Sequence, residues 1–154
     1  MATSVEDIKN SYPIPVFYYR VTIGNNDSIA FSEVSGLNFQ YETITYKDGM
    51  SYRDGPKYMP GFFSAVNLSL KKGIVASDSF LLDWFNTVQL NTVEKLDVRI
   101  DLLNEKGEAT VSWTAKDAFP TKLDAPSFSA SSNEVAVESL DLTATWLEVS
   151  NPAI

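Results

Sequence analysis

Four carboxylates sit at spacings that could do chemistry. Asp97 and Asp101 fall on one face of an extended strand, and Glu105 and Glu108 flank the turn that follows. Paired carboxylates run acid–base or glycosidic chemistry when burial drives their pKa values apart. Here they alternate with Leu96, Val98, Ile100 and Leu102, and that pattern turns them outward as solvated charge. Asp48 and Asp54 form a second oxygen-rich pair, but the spacing of a calcium loop is missing and each precedes a glycine, the mark of a turn. The chain has no cysteine and no histidine. Disulfides, thiol nucleophiles, thiolate metal sites, the usual zinc ligand and the commonest general base are therefore excluded. Neither Gly-x-Ser-x-Gly, a P-loop nor G-x-G-x-x-G occurs. The expectation is a protein that is not an enzyme and that takes no metal and no cofactor.

The aromatic residues divide into two groups. Trp84, Trp113 and Trp146 each fall on the apolar side of their element, which predicts core packing over a ligand platform. The tyrosines of the most polar stretch are different. Tyr46-Lys47-Asp48-Gly49 and Tyr52-Arg53-Asp54-Gly55 repeat one pattern, and Tyr58 follows. Two Asp-Gly turn signals so close together cannot both be the apex of one simple hairpin, so residues 39–63 read as a long arm with a wide or bent tip. The tip tyrosines either pack back on the hairpin's base or meet a partner molecule, and their polar setting favours the partner.

Around that arm the chain reads as strands. Phe17, Tyr19, Val21 and Ile23 alternate with amphipathic or polar neighbours, Gly24 to Asp27 turns the chain, and Ile29 to Val34 predicts a second strand. Phe62 to Leu70 alternates and is expected to end at Lys71-Lys72-Gly73. Leu96 to Leu102 and Ala109 to Ala115 form a hairpin through Asn104 to Gly107. Phe119-Pro120 and Ala125-Pro126 bracket a short extended piece, residues 127–133 a loop, and Val135 to Val149 the longest strand. One segment has helical spacing: over 77–90, Phe80, Leu81, Trp84, Phe85 and Val88 make one apolar stripe, with Ser77 or Asp78 as cap. The expected fold is a single domain over 1–154, mainly β, an antiparallel barrel or sandwich of about seven strands with one flanking helix and a projecting hairpin arm. Residues 1–13 read as a flexible N-terminal arm.

With 20 acidic and 12 basic residues the net charge is −8, and the longest basic run, Lys71-Lys72, reads as a solvated edge. Direct, specific nucleic-acid binding is not expected, because gripping phosphates takes clusters of Lys and Arg. The first residues lack the basic-then-apolar pattern of a signal peptide, and no run approaches a membrane span, so the chain is expected to be made in the cytoplasm.

A set of short motifs occurs in order along nearly the whole chain: Phe31-Ser32-Glu33-Val34-Ser35-Gly36-Leu37, Tyr46-Lys47-Asp48-Gly49, Met59-Pro60-Gly61, Leu70-Lys71-Lys72-Gly73, Asp83-Trp84, Ala118-Phe119-Pro120 and Ser132-Asn133-Glu134-Val135-Ala136-Val137-Glu138-Ser139-Leu140. Together they resemble the inner tube proteins of contractile phage tails. Tyr12-Pro13-Ile14-Pro15 and residues 89–95 are similar to the tube subunits of extracellular contractile injection systems of the antifeeding-prophage type. The second Tyr-basic-Asp-Gly makes the tip longer than the family pattern.

The resemblance implies rings of six stacked into a hollow tube, a sheath outside, baseplate and cap proteins at the ends, and protein effectors as cargo in the lumen. It implies a particle released outside the cell or held at a membrane. It also implies that the arm reaches the neighbouring ring, which makes Tyr46, Lys47, Asp48, Tyr52, Arg53, Asp54, Lys57 and Tyr58 the ring-to-ring residues. A ring of six would carry about −48 formal charge, so the bore is expected to be polar and acidic, with Asp141, Thr143 and Thr145 as lumen candidates. A phage tail tube conducting DNA has nearly the same subunit physics, and a monomeric carbohydrate-binding β-domain is a third reading.

Overall fold

The structure, a computed structural model, describes residues 13–26, 29–76, 79–88, 93–131 and 133–151. Its strands in chain order are β1 (Tyr19–Ile23), β2 (Glu33–Ser35), β3 (Tyr41–Tyr46), β4 (Lys57–Phe63), β5 (Val66–Gly73), β6 (Leu96–Leu103), β7 (Ala109–Asp124), β8 (Val137–Ala144) and β9 (Trp146–Ser150). Among the described residues two helices interrupt them, α1 (Ser51–Asp54) and α2 (Phe80–Asn86). Alternation decides which strands are half-buried. Val66, Leu68 and Leu70 of β5 face inward beside Leu140, Leu142 and Ala144 of β8, their registered partners. Val21 and Ile23 of β1 and Val98 and Ile100 of β6 pair in the same way.

These strands make one antiparallel sheet in the order β1-β6-β7-β8-β5-β2, while β3 and β4 form a two-stranded sheet of their own. The first half of β7 lies between β6 and β9, and its second half pairs with β8. β9 continues β8 along the same edge of β7. Two half-sheets thus share β7 and enclose one core, which joins Val21, Ile23, Val98, Ile100 and Leu147 of one half to Leu68, Leu70, Leu140 and Leu142 of the other. At the corner Asp117 takes a positive φ of 53°, and its N–H donates to Asp97 at 3.1 Å. The sheet does not close. Across the opening, between β1 and the segment leading into β2, Tyr19 Oη donates to the Phe31 carbonyl at 2.8 Å.

α2 places Leu81 and Trp84 in the core, each contributing about 1.5–3 kcal/mol by burial. Trp84 Nε1 donates to the Glu94 carbonyl at 2.9 Å, which satisfies its one polar atom. The described helix runs over 80–86. Ser77, Asp78 and residues 89–90 of the expected helix lie outside the described residues, as does the expected N-terminal arm apart from Pro13.

Several expectations need correction. The longest strand is β7, with 16 residues, because Pro120 sits inside it: its missing N–H falls where the register to β8 shifts between Pro120 and Lys122. The expected last strand bends at Thr145 instead of running on. Past that bend the inward residue is Leu147, and Trp146 is turned out, 43% exposed. The second strand is shorter than expected, Glu33–Ser35. The strand expected from Phe62 starts later, since Phe62 belongs to β4 and β5 runs from Val66 to its expected end at Gly73, but Lys72 is no solvated edge: it is 3% exposed, with Nζ 3.1 Å from Glu138.

Candidate assembly surface

The arm begins where the chain presses on the body. Gly36 has φ +92°, and a Cβ there would lie 2.1 Å from the Asn67 carbonyl oxygen, so only glycine fits. A cluster of rings then fixes the base of the arm. Phe63 stands 5.2 Å from Tyr41, its registered partner, 6.3 Å from Phe39 and 4.7 Å from Trp146 of β9. Sequence reasoning missed this anchor. The signal lay in the parity of Trp146, which only the bend at Thr145 reverses.

Beyond the base, β3 and β4 run outward in register from Thr43↔Pro60 to Tyr46↔Lys57. Every residue of β3 is exposed, and β4 has no buried one. Opposite residues point to the same side, so Ile44, Met59, Tyr46 and Lys57 share one face, apolar but for the lysine, and Thr43, Thr45, Tyr58 and Pro60 the other.

The tip resolves the doubled Asp-Gly. Asp48 Oδ1 accepts the Met50 N–H at 2.9 Å, and Ser51 Oγ accepts the Asp48 N–H at 2.8 Å, so the first repeat opens a helical turn, α1, rather than a hairpin apex. Gly49 does not use a positive φ, whereas Gly55 does, at +81°, where α1 ends. Tyr46, Lys47, Asp48, Tyr52, Arg53, Asp54, Lys57 and Tyr58 are all exposed on this tip, Tyr52 at 91%. Among the described residues none of Lys47, Arg53 and Lys57 is ion-paired, and Tyr46, Tyr52 and Tyr58 stack on no ring.

The body carries the carboxylates. Asp97 is exposed as expected, but Asp101 is 1% exposed, against the expectation of a solvated charge. It accepts from Arg99 Nε at 2.7 Å, Arg20 Nη2 at 3.2 Å and Ser112 Oγ at 2.6 Å. These neighbours on β1, β6 and β7 cover it, a cross-strand arrangement that one strand's alternation does not reveal. Burial would raise its pKa, but the hydrogen bonds from Ser112, Arg99 and Arg20 and the Arg99 charge outweigh that and hold it below the ordinary carboxylate range. A carboxylate so saturated is a structural ion, not a general acid. Glu105 and Glu108 lie exposed at the β6–β7 turn.

Asp141 and Thr143 share the outward face of β8, between β5 and β7, where Thr143 Oγ1 donates to Asn67 Oδ1 at 3.0 Å. Thr145 sits at the bend, its N–H donating to the Lys116 carbonyl at 3.0 Å. Among the described residues no group of His, Cys, Asp or Glu could hold a metal ion, and no helix is long and apolar enough to cross a membrane.

A β-sandwich with an uncovered hairpin arm is the frame in which the family match falls. The chain belongs to the family of T4-like virus tail tube protein gp19, whose model matches residues 15–148. Among solved structures, the extended sheath–tube complex of the PVC extracellular contractile injection system contains a chain 40% identical, with a TM-score of 0.90, the match covering 97% of this chain and 99% of that one. A chain of the anti-feeding prophage tube-terminating cap is 41% identical, TM-score 0.85, over 98% and 99% of the two chains. Hcp1 from Flavobacterium johnsoniae shares the fold at 15% identity, TM-score 0.54, over 88% and 96%. A search of curated proteins found no match.

Proposed function

We propose that this chain is the inner-tube subunit of an extracellular contractile injection system. Six copies form a ring, rings stack into a tube, and protein effectors pass along the bore. A sheath surrounds the tube, and baseplate and cap proteins end it. The observation that carries this reading is the arm: a two-stranded sheet is marginal alone in water, and here one stands with both faces uncovered on a chain 40% identical to one in a sheath–tube complex. Edges and faces that would make a monomer aggregate become useful when a second copy covers them.

The eight tip residues make the contact between rings, and Asp141, Thr143 and Thr145 line a polar, acidic bore past which cargo slides without sticking. The finished particle acts outside the cell or at a membrane. A phage tail tube conducting DNA is the second reading, favoured by the virus tail-tube family model. Neighbouring genes for a capsid or for toxins decide between the two.

Negative-stain microscopy of the purified chain tests the proposal. Rings or tubes are expected, while a strictly monomeric particle with saccharide affinity would overturn it. Replacing Lys47 to Lys57 by a short Gly-Ser turn should leave a folded subunit that no longer stacks; long tubes from that variant would remove the arm from the ring-to-ring contact.

A further inference from the structure

The opening between β1 and β2 is an apolar depression of about 200 Å³, with Val16 and Tyr19 on one side, Val34 and Leu37 on the other, and Leu102 and Trp113 among the residues of its floor. A closed apolar cavity of about 150 Å³ is large enough to take benzene, so this one has room for a single aromatic ring. It is apolar except at Tyr19, whose phenol burial and then the Glu33 charge push up, so that it stays a neutral donor to Phe31.

The same chain carries a ring without a pocket. Tyr52 stands on the helical turn α1 at the end of the arm, 91% exposed, beside Arg53. We infer that Tyr52 of one copy seats in the β1–β2 depression of another. Charge supports the pairing. The tip presents Lys47, Arg53 and Lys57, none ion-paired among the described residues, against two carboxylates, Asp48 and Asp54, so cations are in the majority there. Carboxylates outnumber cations around the depression. Glu33, 3.4 Å from Lys71, precedes Val34 on β2, and exposed Glu105 and Glu108 flank Lys106 on the turn whose Gly107 is next to Tyr18. An aromatic anchor filling a pocket with oppositely charged groups around it is the usual form of an interface hot spot.

The contact has to be between copies. β3 holds Tyr52 away from Leu37 by six strand residues, roughly 20 Å. The inference rests on the proposed function, since it needs the arm to meet another copy, but it names which residue lands where.

Because the chain has no cysteine, a designed pair gives a clean readout. The full chain with Tyr52→Cys and Leu37→Cys is assembled under reducing conditions and then oxidised with copper–phenanthroline. A ladder of inter-chain disulfides is expected, absent from a control pairing Tyr52→Cys with Thr143→Cys on the outward face of β8. Tubes that give no ladder, or an equal ladder in the control, overturn the inference and leave the tube reading standing. If the parent chain forms neither rings nor tubes, both fall. Should the cysteine variants fail to assemble, single substitutions decide: Tyr52→Phe should assemble like the parent, and Tyr52→Ser should need about tenfold more protein. Equal assembly of Tyr52→Ser and the parent overturns the inference.

Discussion

The body and the arm are built from the same chain by opposite rules. In the body, β5 and β8 turn Leu68, Leu70, Leu140 and Leu142 to one core, and even its buried charges, Asp101 and Lys72, have partners. In the arm, β3 and β4 have no buried residue, and Ile44, Met59 and Tyr58 stand in water. The body buries a core of its own. The arm makes physical sense once a second molecule covers it. Stability and assembly should therefore respond to different residues, and that separation can be attacked directly.

The largest expected effect is in the body. Leu140→Ala should cost about 2–5 kcal/mol by denaturant unfolding, because Leu140 is fully buried between β5 and β7. A loss near zero would mean that the core does not hold the fold.

Asp101→Ala should come next, at about 1–3 kcal/mol, since Ser112 and the two arginines lose their acceptor while the arginines can still turn to solvent. This loss should depend on pH. Asp101 has a lower pKa folded than unfolded, so its contribution is present above the ordinary carboxylate pKa of about 4 and is lost as pH falls through the folded value. Unfolding of parent and variant compared at pH 7 and in acid should show the gap narrowing; a gap that widens in acid would reverse the assignment.

Gly55→Ala should cost about 1–3 kcal/mol of strain confined to the tip, because φ +81° with ψ 167° is glycine territory although nothing crowds the site. Hydrogen exchange should then speed up in the arm while the body's protection is unchanged. Smallest of all, Tyr58→Ala should move the monomer's unfolding free energy by no more than about 0.5 kcal/mol and yet weaken tube formation. A large loss of monomer stability there would make the arm part of the core.

Much of the body was legible because alternation reports a strand with one buried face. β1, the inward face of β5 and the β6–β7 hairpin follow from it, while the helix around Leu81 and Trp84 follows from helical spacing. Alternation failed where a neighbour or a bend, not the strand itself, sets the environment. Asp101 is covered by Arg20, Arg99 and Ser112 from three strands, Trp146 is turned out by the bend at Thr145, and Pro120 is tolerated because the ladder slips beside it. At the arm, the turn chemistry of Asp48 and Gly55 was visible as punctuation. That Asp48 would start a helical turn was not, since the same side chain serves both roles through its own nearby backbone.

β7 has a mechanical consequence. Its 16 residues, roughly 50 Å of extended chain, run through both half-sheets and hold hydrogen-bonded partners in each. A pull on one half-sheet therefore reaches the other through covalent bonds instead of through oiled contact between apolar faces. The two walls cannot slide past each other without tearing the ladders on either side of Asp117. A subunit tied in this way passes tension from wall to wall along one continuous backbone.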